Sequence, residues 1–298
     1  MKALLFPGQG VQKVGMLNSL FEEVSEVKSI INDVSKSLDF DLEDLLRNGP
    51  EEKINLTEFS QPTILVTSVL LAKYSNNLPN IDITAGLSLG EYSACRNSNC
   101  LELTDAVKLV NYRGRLMQEA VPEGTAGMLV VLNMPINDVY KMIDDINESD
   151  ETINFSTDNA DGVSVLAGKN SAIEACKNYI ANGEFRRVKT QMVQMSVPSH
   201  CYLLDEAQDE LAKLLNEVEF KVPSIPVIPN VLAEPTSDVG VIQDSLINQL
   251  TKTVRWRETL DYLLENNLSS LIDSGPGKTI INMARKIKDI EKISLEAD

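Results

Sequence analysis

Residues 81–95 read IDITAGLSLGEYSAC. Ile81 to Gly86 is a short, largely apolar run typical of a buried strand, and Glu91 to Cys95 is helical in pattern. Between them lies Gly-x-Ser-x-Gly, which places a serine on a sharp turn from a strand into a helix. The pattern predicts an α/β fold in which the hydroxyl of Ser88 projects at the top of a sheet. The alternative is a glycine-rich turn that carries an ordinary surface serine.

The segments before and after this turn follow an α/β order. Ala3 to Phe6 is predicted to be a buried strand, and Leu17 to Leu46 is mostly helical in pattern. We expect Pro62 to begin an apolar helix that continues from Thr63 to about Tyr74, because proline is favoured in a first helical turn. Leu103 to Ala120 is predicted to be a further helix.

The middle of the chain changes to the order strand, helix, strand, strand, helix, strand. The predicted strands are Gly127 to Leu132, Ile153 to Phe155, Val163 to Ala167 and Arg186 to Thr190, with a turn at Asp158 to Gly162 and helices at Pro135 to Ile146 and Ser171 to Ala181. This order is the split βαβ arrangement of ferredoxin-like domains. We therefore predict a ferredoxin-like subdomain at residues 124–194, inserted into a discontinuous α/β domain formed by residues 1–123 and 195–298.

Composition excludes several classes of function. The formal net charge of −17 argues against a nucleic-acid partner, because an acidic surface repels phosphates. Four scattered cysteines and one histidine give poor support for a zinc site and favour a reducing compartment. Apolar runs such as Ile64 to Ala72 are too short to span a bilayer, and no secretory signal is visible. We expect a cytoplasmic protein with no membrane partner.

Four further residues are candidates for chemistry with Ser88. His200 is the only histidine, so a histidine base for Ser88 must be His200, although a lysine base remains open. The amide of Leu89 follows the serine and can stabilise an oxyanion. Gln9 lies in a glycine-flanked loop whose amide could serve the same site, or the loop could be an ordinary connection. Arg113 lies on a predicted helix, where an arginine is by default a solvated charge.

Six segments, in order along nearly the whole chain, together resemble the malonyl-CoA:acyl carrier protein transacylase family, which includes the acyltransferase domains of polyketide synthases. They are Phe6-Pro-Gly-Gln-Gly10, Ser60-Gln-Pro62, Gly86-Leu-Ser-Leu-Gly-Glu-Tyr-Ser93, Arg113-Gly-Arg-Leu-Met-Gln-Glu-Ala-Val-Pro-Glu-Gly124, Val197-Pro-Ser-His-Cys201 and Ser274-Gly-Pro-Gly-Lys278. The resemblance implies a hydrolase-like α/β core with a parallel sheet and a ferredoxin-like insert. It also implies an active site in the cleft between them.

The resemblance implies a role for each matching residue. Ser88 would be the acylated nucleophile and His200 its base, with the amides of Gln9 and Leu89 forming the oxyanion hole. Arg113 would bind the free carboxylate of a malonyl group. The remaining implied positions are the backbone carbonyl of Gln249, which would orient His200, and the polar side chains of Gln61 and Asn159 near the pocket. One departure is Leu87, where the family often has histidine.

The implied reaction is malonyl transfer from malonyl-CoA to acyl carrier protein in fatty acid biosynthesis, without a metal or redox cofactor. A free-standing acyltransferase of a polyketide synthase and a serine acyl hydrolase are the alternatives. Since the carrier protein in such systems is acidic, we expect it to bind a locally basic surface. The candidate clusters are Arg186, Arg187 and Lys189 in the insert and Lys278, Arg285, Lys286 and Lys288 near the C-terminus. Either cluster could equally consist of ordinary solvated charges.

Overall fold

The central sheet has five parallel strands, seen in a computed structural model that describes residues 1–76, 78–183, 185–193 and 197–295. In spatial order the strands are β7 (Val227–Ile228), β2 (Ile83–Gly86), β1 (Lys2–Phe6), β8 (Ser270–Asp273) and β9 (Glu291–Ser294). Alternate residues of β1 point to opposite faces, so Leu4 and Phe6 join one apolar cluster while Ala3 and Leu5 join another. Burial on both faces explains why β1 is a continuous apolar run.

Helices cover both faces of this sheet. They are α1 (Asn18–Glu23), α2 (Ser25–Ser35), α3 (Leu42–Asn48), α4 (Glu51–Ile54), α5 (Thr57–Tyr74), α6 (Leu89–Asn97), α7 (Leu103–Ala120), α10 (Asp205–Glu217), α11 (Val239–Asn248), α12 (Trp256–Glu265) and α13 (Thr279–Met283). Short 3₁₀ turns span Tyr202–Leu204 and Ala284–Lys286. In the described part of the chain, no helix is both long and apolar enough to cross a membrane.

The prediction that Pro62 begins its helix is wrong, because α5 starts at Thr57 and Pro62 lies inside it. Proline cannot donate the hydrogen bond that the carbonyl of Glu58 would receive one turn earlier. The side chain of Asn111, on α7, supplies that donor instead, with Nδ2 3.0 Å from the Glu58 oxygen. A residue from a neighbouring helix thus satisfies the carbonyl, and the helix continues through the proline.

The second sheet is antiparallel, with the order β4 (Ile153–Ala160), β5 (Val163–Lys169), β3 (Ala126–Leu132) and β6 (Lys189–Met192). Helices α8 (Ile136–Asn147) and α9 (Asn170–Asn182) pack on it around their own apolar cluster. The chain order β3-α8-β4-β5-α9-β6 is the predicted ferredoxin-like arrangement. The predicted domain limit at residues 194 and 195 lies outside the described residues.

The predicted turn at Asp158 to Gly162 begins too early, because β4 continues to Ala160. Polar residues predicted a turn, but here they join the insert to the parallel-sheet domain. The amide of Asp158 donates to the carbonyl of Val254 over 2.9 Å, and the Asp158 carboxylate lies 2.9 Å from Nη2 of Arg257. Register shifts in β4 accommodate these contacts.

Candidate active site

The turn at Ser88 is enforced by two close backbone approaches. A Cβ at Gly86 would lie 1.9 Å from the carbonyl of Gly90, and a Cβ at Gly90 would lie 2.3 Å from the carbonyl oxygen of Phe6. Only glycine fits at either position, so β2 can pass directly into α6. Ser88 then adopts φ 52° and ψ −109° at the helix N-terminus, a strained conformation for a non-glycine residue. Ser88 as a whole is half-buried.

His200 connects Ser88 to the backbone of Gln249. Oγ of Ser88 lies 2.8 Å from Nε2 of His200, and Nδ1 of His200 lies 2.6 Å from the carbonyl oxygen of Gln249. A carbonyl oxygen can only accept, so Nδ1 carries the proton and Nε2 is free to accept the serine proton. Among the described residues, no lysine lies within hydrogen-bond distance of this hydroxyl, which removes the structural basis for a lysine base.

The surroundings of His200 keep its imidazole neutral. Burial, followed by the positive charge of Arg113, lowers the pKa of His200 to about 3, although the hydrogen bond to Gln249 opposes that shift. At neutral pH the ring is therefore unprotonated, as a general base requires. The Gln249 carbonyl can stabilise the imidazolium that forms when the ring takes a proton.

Arg113 is a buried guanidinium that also contacts Ser88. Its side chain donates from Nη2 to Oγ of Ser88 over 3.1 Å and to Oε1 of Gln249 over 3.1 Å. Nη1 donates to Oε1 of Gln61 over 2.9 Å. The residue is 1% exposed, and burial lowers the pKa of its guanidinium. The structure therefore rejects the alternative in which Arg113 is an ordinary solvated charge.

The partners of Arg113 are all neutral. Among the described residues, no carboxylate lies within ion-pair distance of its guanidinium, and its Nε is buried without a hydrogen-bond partner. A buried charge is normally paired with an opposite one. An anion that reached this guanidinium would supply the missing partner directly beside Ser88.

Two backbone amides belong to the segments that meet at this turn. Leu89 is the first residue of α6, and its N–H, like others at a helix N-terminus, has no acceptor within the helix. The loop that carries Gln9 packs against the turn, because a Cβ at Gly8 would lie 2.8 Å from the carbonyl oxygen of Leu87. Among the described residues, neither the Leu89 amide nor the Gln9 amide has a recorded acceptor. The side chain of Gln9 is held by Thr57, with Nε2 3.2 Å from Oγ1.

Asn159 lies apart from this cluster in the contacts that the structure records. It is in β4, where it lines a cleft with Asn133 and Lys189, and its Oδ1 is buried without a hydrogen-bond partner. The described residues include no hydrogen bond from Asn159 to Ser88, so its place near the pocket stays a prediction.

The described residues also contain no cluster of histidine, cysteine, aspartate or glutamate that could hold a metal.

Two residues at the site were missed by sequence reasoning. Asn230 accepts from the amide of Ser88 over 2.7 Å and donates to the carbonyl of Gly86 over 2.6 Å, which fixes the turn from outside. It lies 142 positions from Ser88, so no local pattern could link the two. Glu91 is fully buried. It follows Ser88 by three residues at the start of a helix, which places the two residues on the same side. That spacing is the sequence signal that could have identified Glu91.

Comparison with known proteins agrees with this geometry. The model of the acyl transferase domain family matches residues 3–288. The chain belongs to this family. The acyl transferase is 36% identical over 297 residues to the malonyl CoA-acyl carrier protein transacylase of Salmonella typhimurium, covering 96% of this chain and 93% of that relative. The resemblance drawn from the six sequence segments is thereby confirmed.

Solved structures show the same architecture. The acyl transferase superposes on an acyl carrier protein S-malonyltransferase from Vibrio cholerae with a TM-score of 0.93 at 36% identity, covering 99% of this chain and 97% of that one. It also matches a malonyl-transacylase solved in complex with a type II PKS acyl-carrier protein, with a TM-score of 0.90 at 33% identity and coverage of 99% and 96%. The predicted fold class, a parallel-sheet α/β core with a ferredoxin-like insert, is confirmed.

Proposed function

We propose that this acyl transferase moves a malonyl group from malonyl-CoA to the phosphopantetheine thiol of an acyl carrier protein in fatty acid biosynthesis, through an ester of Ser88. The names of the relatives support the substrate and the acceptor. The observation that carries the proposal is the buried guanidinium of Arg113, whose hydrogen-bond partners among the described residues are all neutral and which lies 3.1 Å from the Ser88 hydroxyl. A malonyl thioester is the acyl donor whose free carboxylate matches that position.

The first half of the reaction forms the acyl-enzyme. Nε2 of His200 takes the hydroxyl proton while Oγ of Ser88 attacks the thioester carbonyl. The negative charge that develops on the carbonyl oxygen is stabilised by the amides of Gln9 and Leu89, each worth about 3 kcal/mol in other enzymes of this type. The carbon–sulfur bond then breaks, and the proton on His200 passes to the departing coenzyme A thiolate.

The second half reverses these steps with a different thiol. The phosphopantetheine thiol of the carrier protein gives its proton to His200 and attacks the ester carbonyl. The ester bond to Ser88 breaks, and its oxygen regains the proton from His200. Bonds and charges balance without a metal or redox cofactor, and the absence of such a cofactor remains part of the proposal.

A serine acyl hydrolase would share the Ser88–His200 pair but not the buried Arg113. Burying a guanidinium beside the nucleophile is costly, and hydrolysis of neutral esters gains nothing from it.

A free-standing acyltransferase of a polyketide synthase would use the same site. One observation favours it as a second candidate, namely the similarity to a transacylase solved with a type II PKS acyl-carrier protein.

The two predicted basic clusters meet at one cleft. Lys189 of the insert and Arg285 and Lys286 near the C-terminus line the same cavity of about 580 Å³, and all three are exposed. No described ion pair occupies these side chains. We propose that this cleft binds the acidic carrier protein.

We further propose a cytoplasmic location, supported by four buried cysteines that are free thiols.

Intact-mass measurement tests this proposal. The purified chain is mixed with malonyl-CoA, with and without a phosphopantetheine-bearing carrier protein. We expect one malonyl group on the enzyme, which the carrier then removes while gaining the same mass. Loss of the group to water at the same rate with and without the carrier would instead identify a hydrolase.

A further inference from the structure

Glu91 is a buried carboxylate that the proposed reaction does not use. It is 0% exposed, in the first turn of α6, and none of its recorded contacts is to an atom that reacts. Burial is the largest cause of a pKa raised to about 7 for this carboxyl group. A buried acid with no structural ion pair is costly to keep, so its contacts indicate what it does.

Both recorded short contacts of Glu91 are made by one oxygen. Oε2 accepts from the side-chain Nε2 of Gln249 over 2.7 Å and from the backbone amide of Asn230 over 3.0 Å. Oε1 has only a long contact, 3.4 Å from Oγ of Ser245. The carboxyl group therefore joins two loops that lie 139 and 158 positions from it along the chain.

The first of these loops fixes the backbone of the nucleophile. Asn230, whose own amide is held by Glu91, accepts from the amide of Ser88 over 2.7 Å and donates to the carbonyl of Gly86 over 2.6 Å. Ser88 has a positive φ of 52°, which a non-glycine residue keeps only where its surroundings hold it. Asn230 supplies part of that support.

The second loop fixes the base and the guanidinium. With its Nε2 directed to Glu91, the amide group of Gln249 must present Oε1 to Nη2 of Arg113, at 3.1 Å. The same residue accepts from Nδ1 of His200 through its backbone carbonyl, at 2.6 Å. The same Nε2 also donates to the carbonyl of Ser88 over 3.0 Å, so acceptors at positions 88 and 91 together determine which way the Gln249 amide faces.

We propose that Glu91 is a positioning residue, which accepts hydrogen bonds from Asn230 and Gln249. Through these two residues it holds Ser88, His200 and Arg113 in the relative positions that acyl transfer requires. The inference rests on the proposed function. It predicts that kcat depends on the length of the acceptor side chain at position 91 and not on its charge. Glutamine at this position keeps the reach and can direct its own N–H to Ser245. Aspartate keeps the charge, but its carboxylate is one methylene shorter and cannot meet both donors.

The test compares Glu91→Gln with Glu91→Asp in steady-state malonyl transfer, with thermal denaturation to confirm folding. Glu91→Gln should keep kcat within about threefold of wild type. Glu91→Asp should lose about tenfold to a hundredfold in kcat, as expected for a buried donor left without its acceptor. The KM for malonyl-CoA should change by less than about threefold in both, because Glu91 does not touch the substrate. Ser245→Ala, which removes only the long contact, is the matched control and should resemble wild type.

The inference is overturned if Glu91→Asp is as active as wild type, or if Glu91→Gln is the weaker of the pair, which would assign the effect to charge. A drop in melting temperature without a change in kcat would show a purely structural role and would also overturn it. These outcomes are distinct from failure of the proposed function, in which the wild-type chain itself transfers no malonyl group.

Discussion

The guanidinium of Arg113 donates a hydrogen bond to the hydroxyl of Ser88, with Nη2 3.1 Å from Oγ. The same hydroxyl lies 2.8 Å from Nε2 of His200, so it can donate to the imidazole while it accepts from the guanidinium. The guanidinium therefore lies close enough to Ser88 to bind the free carboxylate of an acyl group carried on that hydroxyl.

Arg113→Ala should invert the acyl preference. A buried pair between a guanidinium and a carboxylate loses about 2–5 kcal/mol when one partner is removed, or roughly thirtyfold to several thousandfold in malonyl transfer. Acetyl transfer should persist or rise, because a neutral acyl group makes no such contact. Lysine at this position should restore only part of the malonyl activity, since it lacks the planar fork. Competition between malonyl-CoA and acetyl-CoA, followed by intact mass, measures the ratio.

Arg115→Ala is the matched control for that experiment, because Arg115 lies on the same helix but is exposed. It should leave both activities unchanged. If Arg113→Ala keeps the malonyl preference, or lowers both transfers by one factor, the guanidinium has a structural role and does not select the substrate.

His200→Ala should slow acylation by about a hundredfold to ten-thousandfold, the range found for general bases. The described part of the chain offers no lysine at the hydroxyl that could replace the imidazole. Stopped-flow or quenched-flow measurement of malonyl-enzyme formation gives the rate. Acylation at the wild-type rate would show that another base acts.

The depressed pKa of His200 predicts a pH dependence of stability. Its ordinary value is 6.5 and its folded value is about 3, so between these the unfolded chain binds a proton that the folded chain does not. The contribution of neutral His200 to the free energy of unfolding is therefore fully present above pH 6.5 and is lost as the pH falls below that value. From pH 7.5 to 5, wild type should lose about 2 kcal/mol more than His200→Gln. Urea unfolding of both proteins at the two pH values measures this, and equal losses would contradict it.

The basic cleft predicts that charge reversal slows the second half-reaction and leaves the first unchanged. Reversing charge at Lys189, Arg285 and Lys286 should weaken transfer to the carrier protein and reduce its dependence on salt. Acylation by malonyl-CoA should stay unchanged, because these side chains do not contact Ser88. Lys73→Glu, outside both clusters, is the control. If reversing both predicted clusters leaves transfer to the carrier unchanged, the carrier binds elsewhere.

The sequence predicted the central part of the site because its signals are local. Gly86 and Gly90 stand next to Ser88, and a chain with one histidine allows only one histidine base. The position of Arg113 needed the family resemblance, since an arginine on a helix gives no sign of burial. The structure adds that its partners are neutral side chains.

The predictions that failed depended on contacts between distant segments. Pro62 lies inside α5 because Asn111, on another helix, satisfies the carbonyl that proline leaves free. Asp158 stays in its strand because Arg257 and the backbone of Val254 bind it. Asn230 was missed for the same reason, because its role depends on a neighbour 142 positions away.

The most direct test of the central claim is the intact mass of the protein after exposure to malonyl-CoA. Wild type should gain one malonyl group, and Ser88→Ala should gain none. Ser171→Ala, which removes an exposed hydroxyl on the insert, should label as wild type does. A malonyl adduct on Ser88→Ala at the wild-type level would show that the acyl group is carried by another residue.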